Sequence, residues 1–531
     1  MKKTIYLVLL LLAQTTFAQL FTGADVAVTD TENGKVRGYI HNSVFTYKGI
    51  PYATANRFEA PQKPKNWTGV RSSMVYGPVA PLLTPTTAVN DEAEFVFDHS
   101  WGFTNEACNV LNVWTPGIKD GKKRPVMFWI HGGGFTSGSS QELPSYDGEN
   151  LAKNGDVVVV SINHRLNVLG FLDLSAYGDK YKESANVSVL DMKVALEWVR
   201  DNIENFGGDP NNVTIFGQSG GGAKVNTLMS MPSAKGLFHK AINQSGAFRS
   251  AMLDKKTTQA IGAEVLKELN ISADKVDEIQ KVPFEQLSAA GAKALQTVAA
   301  QMKAEGKPAI GFGLSWGPSV DGTVLPYQPT DAAAQELSKN IPLMIGTTIN
   351  EFAVFSGAMP LNSTEAEVKA ALQKRYGDKT DAYIAAAKKA LLHQHTPSDI
   401  TALDVIFRPG AVAQANQKAS LAGAPTYMYL FDWQSPVLDG KFRAVHCMEI
   451  PFVFDNIARC EGMTGGQKDA HILAYKMSKA WINFAKYGNP NHAGIPEWPA
   501  YTPQNTATMH FDNTCVVAPQ LDKELFELIG N

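Results

Sequence analysis

The sequence predicts an α/β fold whose central sheet is mostly parallel and flanked by helices. Three short β-rich apolar runs carry this prediction, namely PVMFWI from Pro125, VVVVSI from Val157 and NVTIFG from Asn212. Apolar runs of this length are typical of strands that are buried on both faces of a parallel sheet. Between the second and third runs, LDMKVALEWVRDNIENF from Leu190 has apolar residues near helical spacing and ends in a glycine pair. The order strand, helix, strand favours parallel strands joined by right-handed crossovers.

Further helices are predicted over residues 257–269, 364–376 and 471–487. Residues 255–307 are rich in Ala, Lys, Glu and Gln, and we expect them to form a helical excursion above the sheet. The chain has no internal repeat, no long run of like charge and no linker rich in Gly, Ser or Pro. We therefore expect residues 19–531 to form a single domain with insertions.

The first 18 residues have the pattern of a secretory signal peptide. They carry Lys2 and Lys3, then an apolar run over residues 5–13, then small and polar residues that end at Ala18. A membrane anchor needs about 20 apolar residues, roughly twice the length of this run. No later segment is long and apolar enough to span a bilayer. The sequence predicts cleavage after Ala18 and export to the periplasm or the extracellular space.

Composition excludes some partners and leaves the cysteines open. The 531 residues are 44% hydrophobic, which suffices for a large core, and the formal net charge is −3. This charge indicates neither nucleic acid nor an anionic membrane as a partner. An exported protein can form disulfides, and we expect Cys447 and Cys460 to pair because they are close in sequence. Cys108 and Cys515 complete the set, and the sequence does not choose among the three full pairings.

A candidate nucleophile follows the third apolar run. Gly217-Gln218-Ser219-Gly220-Gly221 stands between that predicted strand and a segment that can open a helix. A tight strand-to-helix turn of this kind exposes a serine hydroxyl, and its flanking positions tolerate only very small side chains. In a chain with 44 glycines the string alone is weak evidence, but its position after a buried strand favours Ser219 as a nucleophile.

A glycine-rich string follows the first apolar run. His131-Gly132-Gly133-Gly134 can turn backbone N–H groups toward a developing oxyanion, because no Cβ atom stands in the way. Alone, the string is an ordinary glycine-rich turn. Together with a serine elbow at the end of another predicted strand, it is the arrangement that acyl transfer requires.

A serine hydroxyl also needs a histidine to take its proton and a carboxylate to orient that histidine. Among the 11 histidines and the acids after Ser219, the best candidates are His446 in KFRAVHCMEIPFVF and Glu351 in IPLMIGTTINEF. They give the chain order nucleophile, acid, histidine. Taken singly, Glu351 can equally be a solvated loop charge and His446 a packed side chain.

Many strings along the chain resemble one family. HGGGF, INHRLNVLGFLDL, NVTIFGQSGG, AINQSG, VDGTVLP, HCMEIPFVF and WINFAKYGNPN are similar to motifs of the type-B carboxylesterases, which include bacterial esterases, animal carboxylesterases and cholinesterases. The resemblance extends from about residue 29 to residue 501. It implies an α/β-hydrolase fold with helical insertions above the active site, and hydrolysis of carboxylic esters with no metal or organic cofactor.

The resemblance also implies roles for single residues. Ser219 would be the nucleophile, Glu351 the acid and His446 the base. Backbone N–H groups of Gly133, Gly134 and Gly220 would form the oxyanion hole. The resemblance gives Arg165 and Asp191 a structural role beneath the site.

The chain departs from the family at three places near these residues. Many members have Glu and Ala where this chain has Gln218 and Gly220, and Phe352 replaces a common Gly after the acid. Cys108 lies where the family places one half of a disulfide, yet no cysteine precedes it. The resemblance therefore leaves the wall of the pocket and the pairing of Cys108 open.

Two other functions compete with ester hydrolysis. An amidase or peptidase would use the same triad, and a cholinesterase-like binding module would use the fold without catalysis. Such modules typically lose the nucleophile, whereas all three triad residues and the glycine loop are present here. Fold does not name the substrate. The expected partner is a small-molecule or polymer-linked ester, and the sequence leaves the oligomeric state open.

Overall fold

The computed structural model describes residues 19–82, 91–247, 251–307 and 313–530. The predicted signal peptide lies outside the described residues. In chain order the strands are β1 Leu20–Phe21, β2 Val28–Thr31, β3 Gly34–Arg37, β4 Tyr39–His41, β5 Val44–Pro51, β6 Val70–Ser72, β7 Val110–Thr115, β8 Arg124–Ile130, β9 Val158–Ile162, β10 Gly208–Gln218, β11 Lys240–Gln244, β12 Leu253–Asp254, β13 Ser319–Val320, β14 Leu343–Thr348, β15 Thr426–Phe431, β16 Thr508–Phe511 and β17 Val516–Ala518.

Helices surround these strands. They are α1 Asp91–Phe97, α2 Glu149–Gly155, α3 Asn167–Phe171, α4 Val187–Asn202, α5 Gly220–Met229, α6 Lys255–Glu268, α7 Phe284–Ala304, α8 Ala332–Ser338, α9 Ala353–Ser356, α10 Glu365–Tyr376, α11 Thr380–Ala390, α12 Arg408–Ala419, α13 Ile450–Val453, α14 Glu461–Thr464, α15 Lys468–Tyr487 and α16 Lys523–Ile529. The helices predicted over residues 257–269, 364–376 and 471–487 correspond to α6, α10 and α15. The predicted excursion over residues 255–307 is built from α6 and α7.

One large mixed sheet organises the chain. Its strand order is β1-β4-β5-β7-β9-β8-β10-β11-β14-β15-β16-β17. The strands from β9 to β16 in this order run parallel, and antiparallel strands flank them at both edges. Two small sheets, β12-β13 and β2-β3-β6, lie apart from it. The predicted α/β architecture with a mostly parallel central sheet is confirmed.

The central parallel strands β8 and β9 are mostly apolar because both of their faces are covered. On β8, Val126, Phe128 and Ile130 belong to one buried core, while Met127 and Trp129 belong to a second core on the other face. Side chains alternate between the faces of a strand, so a strand that is covered on both sides has no position for a polar face. This explains why PVMFWI shows no alternation in sequence.

A buried ion pair ties the segment after β9 to the helix α4. The Arg165 guanidinium donates from Nη2 to Asp191 Oδ1 at 2.7 Å and from Nε to Asp191 Oδ2 at 2.9 Å. Its remaining nitrogen donates to the backbone carbonyls of Asn56 and Glu59 at 3.0 and 2.8 Å. A buried charge that is paired and hydrogen-bonded in this way fixes geometry. Arg165 and Asp191 thus occupy the structural position that the resemblance implied.

The predicted Cys447–Cys460 disulfide is wrong. All four cysteines are free, and three of them are buried. Cys447 donates its thiol to Gln218 Oε1 at 3.1 Å, whereas Cys460 stands at the start of α14. The turn of α13 and a short 3₁₀ helix at Ile457–Arg459 separate the two, so closeness in sequence does not bring the thiols together. Burial raises the pKa of Cys108 and Cys460 to about 12, which keeps both as thiols.

Within the described residues, none of the helices combines the length and the apolar character that crossing a bilayer demands.

Candidate active site

The sequence-predicted site residues gather at the carboxyl ends of neighbouring strands. The glycine loop follows β8, Ser219 follows β10 and Glu351 follows β14 by three residues. His446 comes later, in the segment between β15 and α13. The carboxyl ends of parallel strands share one edge of the sheet, where α/β folds form their ligand sites.

The turn at Ser219 is as tight as a nucleophile elbow requires. Ser219 has φ 57° and ψ −123°, in the positive-φ region that non-glycine residues rarely adopt. Its N–H donates to the carbonyl of Gln244 on the neighbouring strand at 2.7 Å. A Cβ atom on Gly217 would lie 2.6 Å from the carbonyl oxygen of Ile130, and one on Gly221 only 2.0 Å from it. Both glycines are therefore required by the approach of β8.

Glu351 and His446 are joined by two hydrogen bonds. His446 Nδ1 contacts Glu351 Oε2, and the His446 backbone N–H donates to the Glu351 carbonyl at 3.1 Å. The other carboxylate oxygen, Oε1, accepts the Ser245 hydroxyl at 2.6 Å and the Thr348 N–H at 2.8 Å. Glu351 is fully buried. These contacts fix the carboxylate and, through it, the orientation of the imidazole.

The other ring nitrogen of His446 faces the elbow. The side-chain nitrogen of Gln218 lies 3.3 Å from His446 Nε2. The same Gln218 nitrogen lies 3.4 Å from His446 Nδ1, so the amide contacts both ring nitrogens about equally. The described contacts include no hydrogen bond between the Ser219 hydroxyl and His446. Catalytic hydrogen bonds are often absent or long before substrate binds, so this arrangement leaves Ser219 as a candidate.

The glycine loop packs directly on the elbow. A Cβ atom on Gly132 would lie 3.7 Å from the Cβ of Ser219. Gly133 and Gly134 have φ of 79° and 60°. A Cβ atom on Gly220 would lie 2.3 Å from the backbone nitrogen of Gly134. The three residues proposed for the oxyanion hole thus lie together beside Ser219, and their close approach needs glycine on both sides.

An aromatic wall stands beside the base. The Phe352 ring stacks on the His446 ring with centroids 4.4 Å apart, and Phe407 lies 5.1 Å from it. Phe352 and Phe355 remain 37% and 47% exposed. Phe352, where the resemblance implies Gly, therefore forms part of the surface that the His446 ring contacts.

Buried carboxyl groups surround the triad acid. Burial and, after it, the charge of Glu351 raise the pKa of Glu449 and Asp404 to about 7. Glu449 accepts a hydrogen bond from the Gln244 amide at 3.1 Å. Three backbone N–H groups, those of Ile406, Phe407 and Arg408, donate to Asp404. Neither group contacts Ser219 in the described structure, and we assign neither of them a catalytic role.

Sequence reasoning missed two residues that support the site. Ser245 binds the acid, and Lys224 donates a hydrogen bond to the carbonyl of His131 at 3.0 Å. The signal for Ser245 was present in the string AINQSG, because it ends the strand between those of Ser219 and Glu351. Lys224 offered no signal of its own, since a lysine on a predicted helix is usually solvated.

Fold and site together define an α/β-hydrolase. The chain belongs to the Carboxylesterase family, whose sequence profile matches residues 25–528. It is therefore a carboxylic ester hydrolase, as the resemblance predicted.

Relatives with assigned activities match over nearly the whole length. The para-nitrobenzyl esterase of Bacillus subtilis (strain 168) is 35% identical over 507 residues, which cover 94% of this chain and 97% of that protein. The phenmedipham hydrolase of Pseudarthrobacter oxydans is 32% identical over 91% of this chain and 94% of its own.

A solved structure is similar to the same extent. It is an esterase from anaerobic Clostridium hathewayi, described as able to hydrolyse aliphatic aromatic polyesters. It matches with a TM-score of 0.86 and 38% identity, covering 96% of this chain and 99% of that one.

Proposed function

We propose that the protein hydrolyses neutral carboxylic esters, small or polymer-linked, through an acyl-enzyme on Ser219. The observation that carries the proposal is the bond between Glu351 and His446 beside the Ser219 elbow, with the glycine loop packed against it. The names of the relatives, which refer to para-nitrobenzyl esters, phenmedipham and polyesters, support ester substrates of varied size.

The steps follow from the chemistry of these groups. Ser219 Oγ attacks the ester carbonyl carbon while its proton passes to His446 Nε2, and the carbonyl oxygen becomes an oxyanion. Backbone N–H groups of Gly133, Gly134 and Gly220 donate to that oxyanion. Collapse breaks the bond to the alcohol, which leaves with the proton from His446. A water molecule then repeats the attack on the acyl-enzyme and releases the acid.

The Glu351 carboxylate supports this cycle without taking the proton. It holds the imidazole in the tautomer that presents a free lone pair at Nε2, and its charge stabilises the imidazolium that forms. An amidase or peptidase would use the same steps with a poorer leaving group. Export remains part of the proposal, supported by the pattern of residues 1–18.

The test is to replace Ser219 by Ala and to label the parent with a fluorophosphonate. We expect kcat on p-nitrophenyl acetate to fall by about 10⁶-fold in Ser219→Ala, if triad knockouts in other serine hydrolases are a guide. Peptide mapping should place the label on Ser219. Label on another serine, or a variant that keeps its activity, would show that the nucleophile lies elsewhere. Matched ester and anilide substrates separate an esterase from an amidase.

A further inference from the structure

A buried lysine lies directly under the glycine loop. Lys224 is on α5, five residues after Ser219, and is fully buried. Its Nζ donates to the carbonyl oxygen of His131 at 3.0 Å and to that of Gly132 at 3.4 Å. Both acceptors belong to the glycine loop that follows β8. Lysine is almost never fully buried without a partner, so these two carbonyls account for its position.

The peptide bond connects these carbonyls to the oxyanion donors. The Gly132 carbonyl and the Gly133 N–H are two ends of one planar trans peptide, so they point in opposite directions. A group that fixes the carbonyl oxygen therefore also fixes where the N–H points. Two groups contact the Gly132 oxygen, Lys224 Nζ at 3.4 Å and the His131 ring Nδ1 at 3.0 Å, and Lys224 also holds the preceding carbonyl, that of His131. Hydrogen bonds in a chain polarise one another, so a donor on the carbonyl strengthens the N–H as a donor.

We propose that Lys224 is a positioning residue for the oxyanion hole: it holds the His131 and Gly132 carbonyls so that the Gly133 N–H faces the ester oxygen. The inference rests on the proposed ester hydrolysis at Ser219. The described hydrogen bonds of Lys224 go to the loop carbonyls and not to Ser219, so we assign it no contact with the substrate. Its effect is on the transition state, where the oxyanion forms, more than on the bound ester.

Among the described residues, Glu142 is the carboxyl group that acts on Lys224. Burial lowers the pKa of Lys224 to about 7, and the nearby Glu142 carboxyl opposes that change. Burial raises the pKa of Glu142 to about 7, and Glu142 accepts the Tyr146 hydroxyl at 3.2 Å. The stacked rings of His131 and His164 complete the cluster, and burial holds the pKa of both well below the usual value. Both imidazoles are therefore neutral neighbours.

The test compares Lys224→Met with Lys418→Met. Lys418 is a second buried lysine that donates to a backbone carbonyl, that of Lys339 at 2.6 Å, but it lies on α12 away from the glycine loop. Both variants lose a buried lysine amino group that donates to the backbone. Rates on p-nitrophenyl acetate are expressed per active site titrated with the fluorophosphonate, so that unfolded protein does not count.

We expect Lys224→Met to lower kcat by roughly 10- to 100-fold, somewhat less than removal of a complete oxyanion donor costs. KM should change less than about threefold, because ground-state binding does not use the hole. An alkyl trifluoromethyl ketone should bind more weakly by the same factor as kcat falls. Ser219 Oγ adds to its carbonyl carbon, the serine proton passes to His446 and the ketone oxygen becomes the oxyanion. Lys418→Met should leave kcat and ketone affinity unchanged.

Two further variants keep the inference open to refutation. Lys224→Arg retains the charge and its donors and should recover most of kcat. Lys224→Gln has a neutral side chain that is one bond shorter, and its kcat should fall by the factor expected for Lys224→Met. It takes the place of Lys224→Met in the test if the Met variant does not fold. A folded Lys224→Met or Lys224→Gln with parental kcat and ketone affinity would overturn the inference. Activity that persists in Ser219→Ala would instead overturn the proposed function.

Discussion

Gln218 has surroundings that its position in the motif does not suggest. It precedes the nucleophile, yet its side chain is fully buried and lies against the base. The amide nitrogen is 3.3 Å from His446 Nε2, and the amide oxygen accepts the Cys447 thiol at 3.1 Å. A neutral amide at this place adds no negative charge next to the imidazole. Its influence on the reaction therefore passes through His446 as well as through the electrostatic potential of the cleft.

Replacing Gln218 by Glu should change the pH dependence of the reaction. A second carboxylate within hydrogen-bond reach of the ring favours the imidazolium, so the pH below which kcat/KM falls should rise by about one unit. The ratio of kcat/KM for a choline ester to that for its 3,3-dimethylbutyl analogue should also rise, because the added charge attracts a cation. Gln218→Met is the neutral control and should show neither change. If Gln218→Glu is active and keeps the parental pH profile, then Gln218 does not act on the base.

Among single residues, the sequence predicts those that belong to motifs. Ser219, Glu351, His446 and the glycines are predicted because each follows a β-rich run or matches a family string. Ser245 and Lys224 were not assigned roles, because their partners are distant in sequence. Ser245 meets Glu351 across 106 residues, and Lys224 meets His131 across 93. Only the packing of neighbouring strands brings such pairs together.

The Ser219 elbow and the glycine loop pack against each other, although they belong to two different elements. The first residue of α5, Gly220, lies against Gly134 in the loop after β8. The resemblance implies Ala at the position of Gly220, and the contact shows what Gly permits here. Without a Cβ atom the loop approaches the helix end more closely, which brings the N–H groups of both elements to the same point.

Replacing Gly220 by Ala should force the two elements apart. The new Cβ would lie 2.3 Å from Gly134 backbone atoms, well inside van der Waals contact, so the loop must move. Overpacking of this kind costs roughly 1–3 kcal/mol of stability. We expect kcat to fall by at least about tenfold as the oxyanion donors separate. Kinetics and urea unfolding of the same preparation measure both effects.

Gly317→Ala is the matched control for this change. Its Cβ would meet the Phe135 ring at 3.5 Å, an ordinary contact with a residue of the same loop. The control should keep parental stability and kcat. A Gly220→Ala enzyme with parental kcat would mean that the loop can withdraw without losing its donors.

Elements were predicted best where burial dictates sequence. β8, β9 and the second half of β10 are buried on both faces and form apolar runs, and α4 and α6 show helical spacing. The short strands β1 to β4 and the last pair, β16 and β17, carry mixed burial or are too short to give a pattern. The cysteine pairing failed for a related reason, because a disulfide depends on geometry that α13 alters.

For the molecule as a whole, several buried carboxyl groups make stability depend on pH. Burial raises the pKa of Glu142, Asp404 and Glu449 to about 7 in the folded protein. In the unfolded chain these groups ionise near their ordinary values, so between about pH 4 and pH 7 the folded state binds more protons. The free energy of unfolding should therefore fall as the pH rises through this window.

Glu449→Gln tests this dependence at one group. Gln keeps an oxygen that can accept the Gln244 amide but has no proton to lose. When the pH is raised from 5 to 8, the free energy of unfolding of the variant should rise relative to that of the parent by roughly 2–3 kcal/mol. Urea unfolding at both pH values gives the difference. Glu497→Gln, at an exposed position, should show no such gain. An equal difference between parent and Glu449→Gln at both pH values would contradict the raised pKa.

The four unpaired cysteines determine how the protein can be produced. All four lie in described parts of the chain, and none of them forms a disulfide. We therefore expect residues 19–531 to fold without an oxidant or a disulfide isomerase, in the reducing cytosol of a bacterial expression host. Because the fold has no disulfide to reduce, dithiothreitol can be present throughout purification. Cys108 and Cys460 are buried as thiols, so a newly introduced surface cysteine should react in preference to them when the enzyme is immobilised or labelled.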